Sequence, residues 1–194
     1  RNPSKAFGYR VSGFGAYANR VPIGADETSW KFVAASSMFL SASDHADFDS
    51  IWDSDFTIDF WVNHISQGFD RGYFGHHEDN SNRVTIQTPG SGTNSNIVFS
   101  GEAAGVVWSF EATSTGLTTS TWQHLALERS GSAVKCFVGG VEKGSDASIS
   151  GSVGNLAGGL FIGKRLASGG YSDIYVDEFR ISNTARYGGS GFTP

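Results

Sequence analysis

The sequence predicts an all-β protein, an antiparallel sandwich of two stacked sheets. Three observations carry that reading. Residues 56–64 alternate strictly, with Phe56, Ile58, Phe60 and Val62 on one face and Thr57, Asp59, Trp61 and Asn63 on the other. Two further alternating runs, 121–129 and 133–138, are separated by Ser130-Gly131, which makes an antiparallel hairpin. Gly139-Gly140 then turns tightly into a third strand at Val141. The composition agrees: 26 glycines supply turns, aromatics at 13% supply strands, and no run reads as an amphipathic helix.

Taken in order, the chain opens with a basic, glycine-rich arm over residues 1–30, followed by the sandwich over 31–194. Arg1, Lys5, Arg10 and Arg20 give residues 1–25 a charge of +4, and the remainder carries −9. Phe7, Tyr9, Phe14 and Tyr17 dot the arm, which forms short strands or lies extended on another surface. Short strands are predicted at 31–34 and 37–41. Residues 44–55 are a loop holding Asp44, Asp47, Asp49, Asp53 and Asp55. After the 56–64 strand come strands at 72–74, 83–87, 97–99 and 106–110, divided by Gly, Ser, Asn and Thr clusters. The central hairpin follows, then strands at 160–163 and 173–182, about a dozen in all. The outer face of 56–64 reads as polar and solvated, interrupted by Trp61.

Several function classes are excluded by what the chain lacks. A net charge of −5 argues against a nucleic-acid partner. No apolar run approaches ~20 residues, so no membrane span is expected. No signal peptide is read, and the start at Arg1 rather than Met sets the expectation of a processed product or a fragment of something longer. Cys136 is alone and alternates with Val134 and Val138, as a small buried hydrophobe does. Retaining glycoside hydrolysis needs two carboxylates roughly 5–5.5 Å apart on one face. Glu102 and Glu111 are isolated, and Asp177 and Glu178 are adjacent and point to opposite faces. No G-x-S-x-G turn is present. The expectation is a protein that is not an enzyme.

The run Trp122-x-His124-x-Ala126-Leu127-x-Arg129, followed by Phe137-Val138-x-Gly140-Val141, resembles the centre of laminin-G-like domains of the concanavalin A-like lectin/glucanase superfamily. The aspartate-rich loop ending Asp55-Phe56-Thr57 resembles that family too. So does the terminus, with Asp177-Glu178-Phe179-Arg180-Ile181-Ser182, Ala185-Arg186 and Phe192-Thr193-Pro194. That terminus is similar to laminin-G-like domains of phage and bacterial surface proteins. The resemblance covers residues 30–194 and implies a concanavalin A-like jelly roll. It also implies a structural calcium ion, with Asp177 as ligand beside backbone carbonyls, and Asp47 and Asp49 as a second candidate site. Hard cations take such clustered oxygens. The alternatives are a strand-edge aspartate at 177 and a solvated turn at 44–55.

The densest polar loop is 76–82. His76, His77, Asp79 and Asn80 are candidate sugar-binding groups, with Trp108, Trp61 or Tyr73 as the aromatic platform beside them. The alternative is a solvated hairpin tip. His124, inside the signature, reads as packing. The functional expectation is a non-catalytic recognition or assembly module on a virion, cell surface or other extracellular structure. Its partners are other protein subunits or a second copy of itself, with the arm docked on a neighbour, or glycans.

Overall fold

The structure, a computed structural model, describes residues 19–22, 28–93, 95–147, 149, 151–167 and 169–194, with only the backbone of 19–22, 28, 106 and 107. The expected strands within 6–18 and the docking of residues 1–25 therefore fall largely outside the described residues.

Thirteen strands are described: β1 (Asn19–Pro22), β2 (Thr28–Phe32), β3 (Leu40–Ala42), β4 (Phe56–His64), β5 (Gly72–His77), β6 (Asn82–Gln87) and β7 (Ile97–Ala103), then β8 (Val106–Ala112), β9 (Trp122–Ser130), β10 (Ala133–Val138), β11 (Val141–Asp146), β12 (Gly159–Ile162) and β13 (Ile174–Ser182). They form two antiparallel sheets. One is ordered β1-β2-β13-β4-β9-β10-β11, the other β3-β12-β5-β6-β7-β8. The predicted two-sheet sandwich is thus observed. Its first sheet begins before residue 31, since β1 pairs with β2 and β2 with β13. The Gly139-Gly140 turn has φ of 58° and 76°. Two positive φ values in a two-residue loop match the twist of flanking strands and favour glycine.

The core lies between the sheets, where alternate residues of every strand meet. Phe56, Ile58, Phe60 and Val62 are at most 1% exposed. Phe60 stacks on Phe179 at 5.4 Å, and Phe179 on Phe74 at 5.7 Å. Trp108 is also inside, packed over Gly101, where a Cβ would come within 2.3 Å of its ring. The aspartate-rich loop contributes a core residue as well. Its turn at Ile51–Asp53 drives Trp52 fully inside, 5.1 Å from Phe56. Trp52 Nε1 donates to His76 Nδ1 at 2.9 Å, so His76 carries its proton on Nε2, which donates to Gly158 O at 3.1 Å. Cys136 is free and buried, and burial pushes its thiol pKa far up. That matches its expected role as a packed hydrophobe.

The outer face of β4 departs from expectation. Thr57 and Asp59 are 0% and 2% exposed, and Glu128 on the neighbouring β9 is 1% exposed. The tail after β13 folds back across this face and covers them. Glu128 accepts the backbone N–H groups of Tyr187 and Gly189, each at 2.6 Å. The Thr57 hydroxyl donates to Thr184 O at 2.8 Å and accepts from Arg186 N at 3.1 Å. Tyr187 and Phe192 stack at 3.5 Å over the outward side chain of Phe137, and Phe192 N donates to Gly140 O.

A one-residue irregularity in β13 makes this arrangement fit. The β13–β4 register shifts between Asp177 and Arg180, and Glu178 takes a φ of 49°. Strict alternation from Val176 would aim Arg180 inward and Phe179 outward. The bulge reverses both, so Phe179 enters the core and Arg180 faces out opposite Asp59.

Two outcomes follow for stability. In urea melts, Phe60→Ala is expected to lose roughly 3–5 kcal/mol through the cavity it leaves. Thr57→Ala is expected to lose about 1–3 kcal/mol, because it strips a partner from the buried Glu128 side of the tail; a loss below that range would mean the tail does not seal this face.

His64 sets a pH dependence. It is 3% exposed, its Nε2 lies 2.8 Å from the Tyr73 hydroxyl, and burial lowers its pKa from 6.5 to about 4. Between those values the unfolded chain binds a proton that the folded chain does not. Stability should therefore fall as pH drops from 6.5 towards 4, by about 3 kcal/mol from this group. Burial also lowers the pKa of His76, which adds to the same slope. Urea midpoints measured across this window check the sign, and His64→Gln should flatten the curve.

Candidate functional site

The structure disperses the residues that the sequence singled out for binding. His76 and Trp108 are 0% and 1% exposed and have no surface to offer a ligand. Tyr73, a possible platform, is 1% exposed. The physical reason is shared: all three lie on the inward face of their strands. His77, Asp79 and Asn80 stand at the tip of the β5–β6 hairpin. Asp79 there folds onto its own turn, its Oδ1 accepting from Ser81 N at 2.7 Å and its two oxygens from Asn82 Nδ2 at 3.0 and 2.9 Å. No aromatic face stands with them among the described contacts.

The metal candidates are dispersed as well. Asp177 faces outward beside Trp61, and its Oδ1 accepts the N–H of Glu178 at 2.9 Å. Asp47 and Asp49 lie in and just after a short turn at Ala46–Phe48. Among the described residues, no three His, Cys, Asp or Glu side chains gather as a metal set. The described side chains at 177 supply one carboxylate, where calcium takes six to eight oxygens. A calcium ion at Asp177 would therefore take its remaining oxygens from backbone carbonyls.

What the fold does assemble is an aromatic platform on the outer face of the first sheet, at the end the tail leaves open. The register places Trp61 between Asp177 and His124, and Asn63 between Tyr175 and Trp122. Trp61 meets the His124 ring edge-on at 5.3 Å, and Trp122 lies 6.4 Å from Tyr175. Trp61, Trp122 and Tyr175, unlike Tyr73 and Trp108, remain half-buried and face solvent. Lys31 stands 5.6 Å above the Tyr175 ring. A cleft of about 250 Å³ runs from Trp61 and Trp122 to Val141 and Lys143 beyond the β10–β11 turn. Period-2 alternation placed Trp61 outward. It placed Asn63 on the same face, whereas Trp122 and Tyr175 join them only through cross-strand register.

Beside the platform, under the tail, lies a charged cluster. Asp59 accepts from Arg180 Nη2 at 2.8 Å and Nε at 3.2 Å. His124 Nε2 and Arg186 Nε stand 3.9 and 3.8 Å away. Burial would raise the Asp59 pKa, but the adjacent His124 ring and the hydrogen-bonded Arg180 guanidinium outweigh it and hold the carboxyl below the usual range. Asp59 and Glu128 are thus both engaged in holding the tail.

A laminin-G family model, described as concanavalin A-like lectin/glucanases superfamily, matches residues 22–188. The chain belongs to the concanavalin A-like lectin/glucanase superfamily. No curated protein matches it in sequence. Solved structures share the superfamily fold at low identity. Domain 4 of AbnA, a GH43 extracellular arabinanase from Geobacillus stearothermophilus in complex with arabinotriose, is 18% identical at a TM-score of 0.65, over 88% of this chain and 77% of that one. The binding domain of Paraclostridial Mosquitocidal Protein 1 is 16% identical at a TM-score of 0.64, over 87% of this chain and 42% of that one. The botulinum neurotoxin serotype G binding domain is 14% identical at 0.62, over 90% and 44%. The chain spans less than half the length of both toxin binding domains.

The cluster predicts its own mutant. Arg180 is 40% exposed while Asp59 is 3% exposed at the side chain. Removing one partner of a fully buried pair costs roughly 3–5 kcal/mol; because Arg180 reaches water, Arg180→Leu should cost about 2–3 kcal/mol in a denaturant melt. The double change Asp59→Asn with Arg180→Leu should recover part of that loss, since no unpaired buried charge remains.

Proposed function

We propose that the chain is a carbohydrate-recognition module that works on the outside of a cell or particle. The observation that carries this is the platform: Trp61, Trp122 and Tyr175 face solvent together, flanked by Asn63 and Asp177. The C–H-bearing face of a sugar ring is apolar and weakly positive, and it suits the negative face of an aromatic ring. Carboxylate and amide groups at the edge take up the sugar hydroxyls and fix orientation. Solved structures of the same fold support the reading, among them a domain of an arabinanase in complex with arabinotriose and two toxin binding domains. No helix among the described residues is long and apolar enough to cross a membrane, and the net charge of −5 disfavours anionic polymers such as nucleic acid. No catalytic step is proposed, because Asp59 and Glu128 are committed to the tail.

The test is a glycan array followed by titration calorimetry on the best neutral glycan. Trp61→Ala and Trp122→Ala should each weaken binding about tenfold or more and leave the melting transition in place. Asp79→Ala, at the hairpin tip, should bind as wild type. Loss of binding in Asp79→Ala with none in the tryptophan variants would move the site to residues 76–82.

A further inference from the structure

A second cleft opens at the end of the sandwich where β2, β4 and β13 meet their loops. It is about 450 Å³, within the size range of ligand pockets, and Phe69, Asp70, Arg71, Tyr171 and Asp173 line it with Ala34 and Ala35. Asp173 ties its three loops together. Its Oδ1 accepts from Ala34 N at 2.8 Å and its Oδ2 from the Ser66 hydroxyl at 3.0 Å. The Tyr171 loop is fixed from behind: Lys164, 4% exposed, sits 3.7 Å over the Phe39 ring, and Phe39 packs on Tyr171 at 6.0 Å. The cleft is therefore preformed.

Its chemistry is that of the platform. Phe69 is 45% exposed, one of three large hydrophobic side chains so exposed among the described residues. Around it the charges cancel in pairs, Arg165 with Asp70 at 3.0 Å and Arg71 with Asp173 at 3.8 Å. A guanidinium has five donors and a carboxylate about four acceptor positions, so the pairing leaves hydrogen-bonding capacity with no net field. Such a lining suits a polyhydroxy ligand without charge. Asp70 holds a left-handed φ of 54°, with its N–H on Pro89 O, and its side chain is 53% exposed.

The cleft is also in line with the platform. Asp173, Tyr175 and Asp177 are alternate residues and share one side of β13 and its approach. At ~3.3 Å per residue they extend over ~13 Å. We propose that the cleft holds a neutral sugar unit of the same chain that lies across Trp61, Trp122 and Tyr175, so that the ligand is a linear neutral oligosaccharide rather than a single terminal sugar. This rests on the sugar-binding reading above.

The experiment measures affinity against chain length, from monosaccharide to pentasaccharide, for the arabino-, cello- and laminari- series, with oligogalacturonates as the charged comparison. For the wild type, affinity should rise with length in one neutral series. Phe69→Ala should remove the gain of the longer chains and leave the shortest binders unchanged, whereas Trp122→Ala should weaken every length. Because Phe69 is exposed, its variant should melt as wild type. An unchanged length dependence in Phe69→Ala would overturn the cleft and leave the platform standing. Preference for the galacturonates would overturn the neutral class. Absence of binding in every series would overturn both readings together.

Discussion

The pair between Arg180 and the buried Asp59 governs how the last strand and the tail meet the sheet. A carboxylate on the outer face of a central strand is stable at 2% exposure only with charged hydrogen-bond donors and a cover. Arg180 supplies the donors, but only because the extra residue at Glu178 turns it outward. The same turn sends Phe179 between Phe60 and Phe74. Core packing and surface electrostatics are thus coupled through one backbone irregularity.

That coupling divides the outer face of the first sheet in two. Over Thr57, Asp59 and Glu128 the tail excludes water and uses its own N–H groups as donors. Towards the other end of the same strands the tail is absent, and Trp61, Trp122, Tyr175 and Asn63 remain half-open. His124 stands on the boundary, its ring touching Trp61 on one side and Tyr187 and Phe192 on the other. The covered half supplies rigidity, and the open half presents aromatic surface that a mobile sheet could not hold in register.

Much of the fold was legible because its signals are local. Alternation over 56–64, the hairpin through Ser130-Gly131 and the Gly139-Gly140 turn each depend on a few neighbouring residues. The family signature added the sandwich as a whole. The binding surface was less legible. Period 2 separates two faces but does not say which one another segment will cover, so Thr57 read as solvated. It does not reveal how a loop residue such as Trp52 will dive, and therefore not that His76 would be its buried acceptor. An inserted residue such as Glu178 leaves no mark in composition. Trp122, Tyr175 and Asn63 are far apart in the chain, and only the register of three strands brings them side by side.

The order of the first sheet carries a kinetic consequence. β13 is the last strand in the chain, yet it lies between β2 and β4. During synthesis β4 through β11 can pair while their inner edge stands open, and β1–β2 has no place to join. The gap closes only when residues 174–182 arrive, over 110 positions after the start of β4 that they must pair with. Contacts of such long range slow folding, and until they form, β4 presents an unpaired, apolar edge of the kind that recruits foreign strands. The strand that completes the sheet is thus also the one that ends its exposure to misassembly.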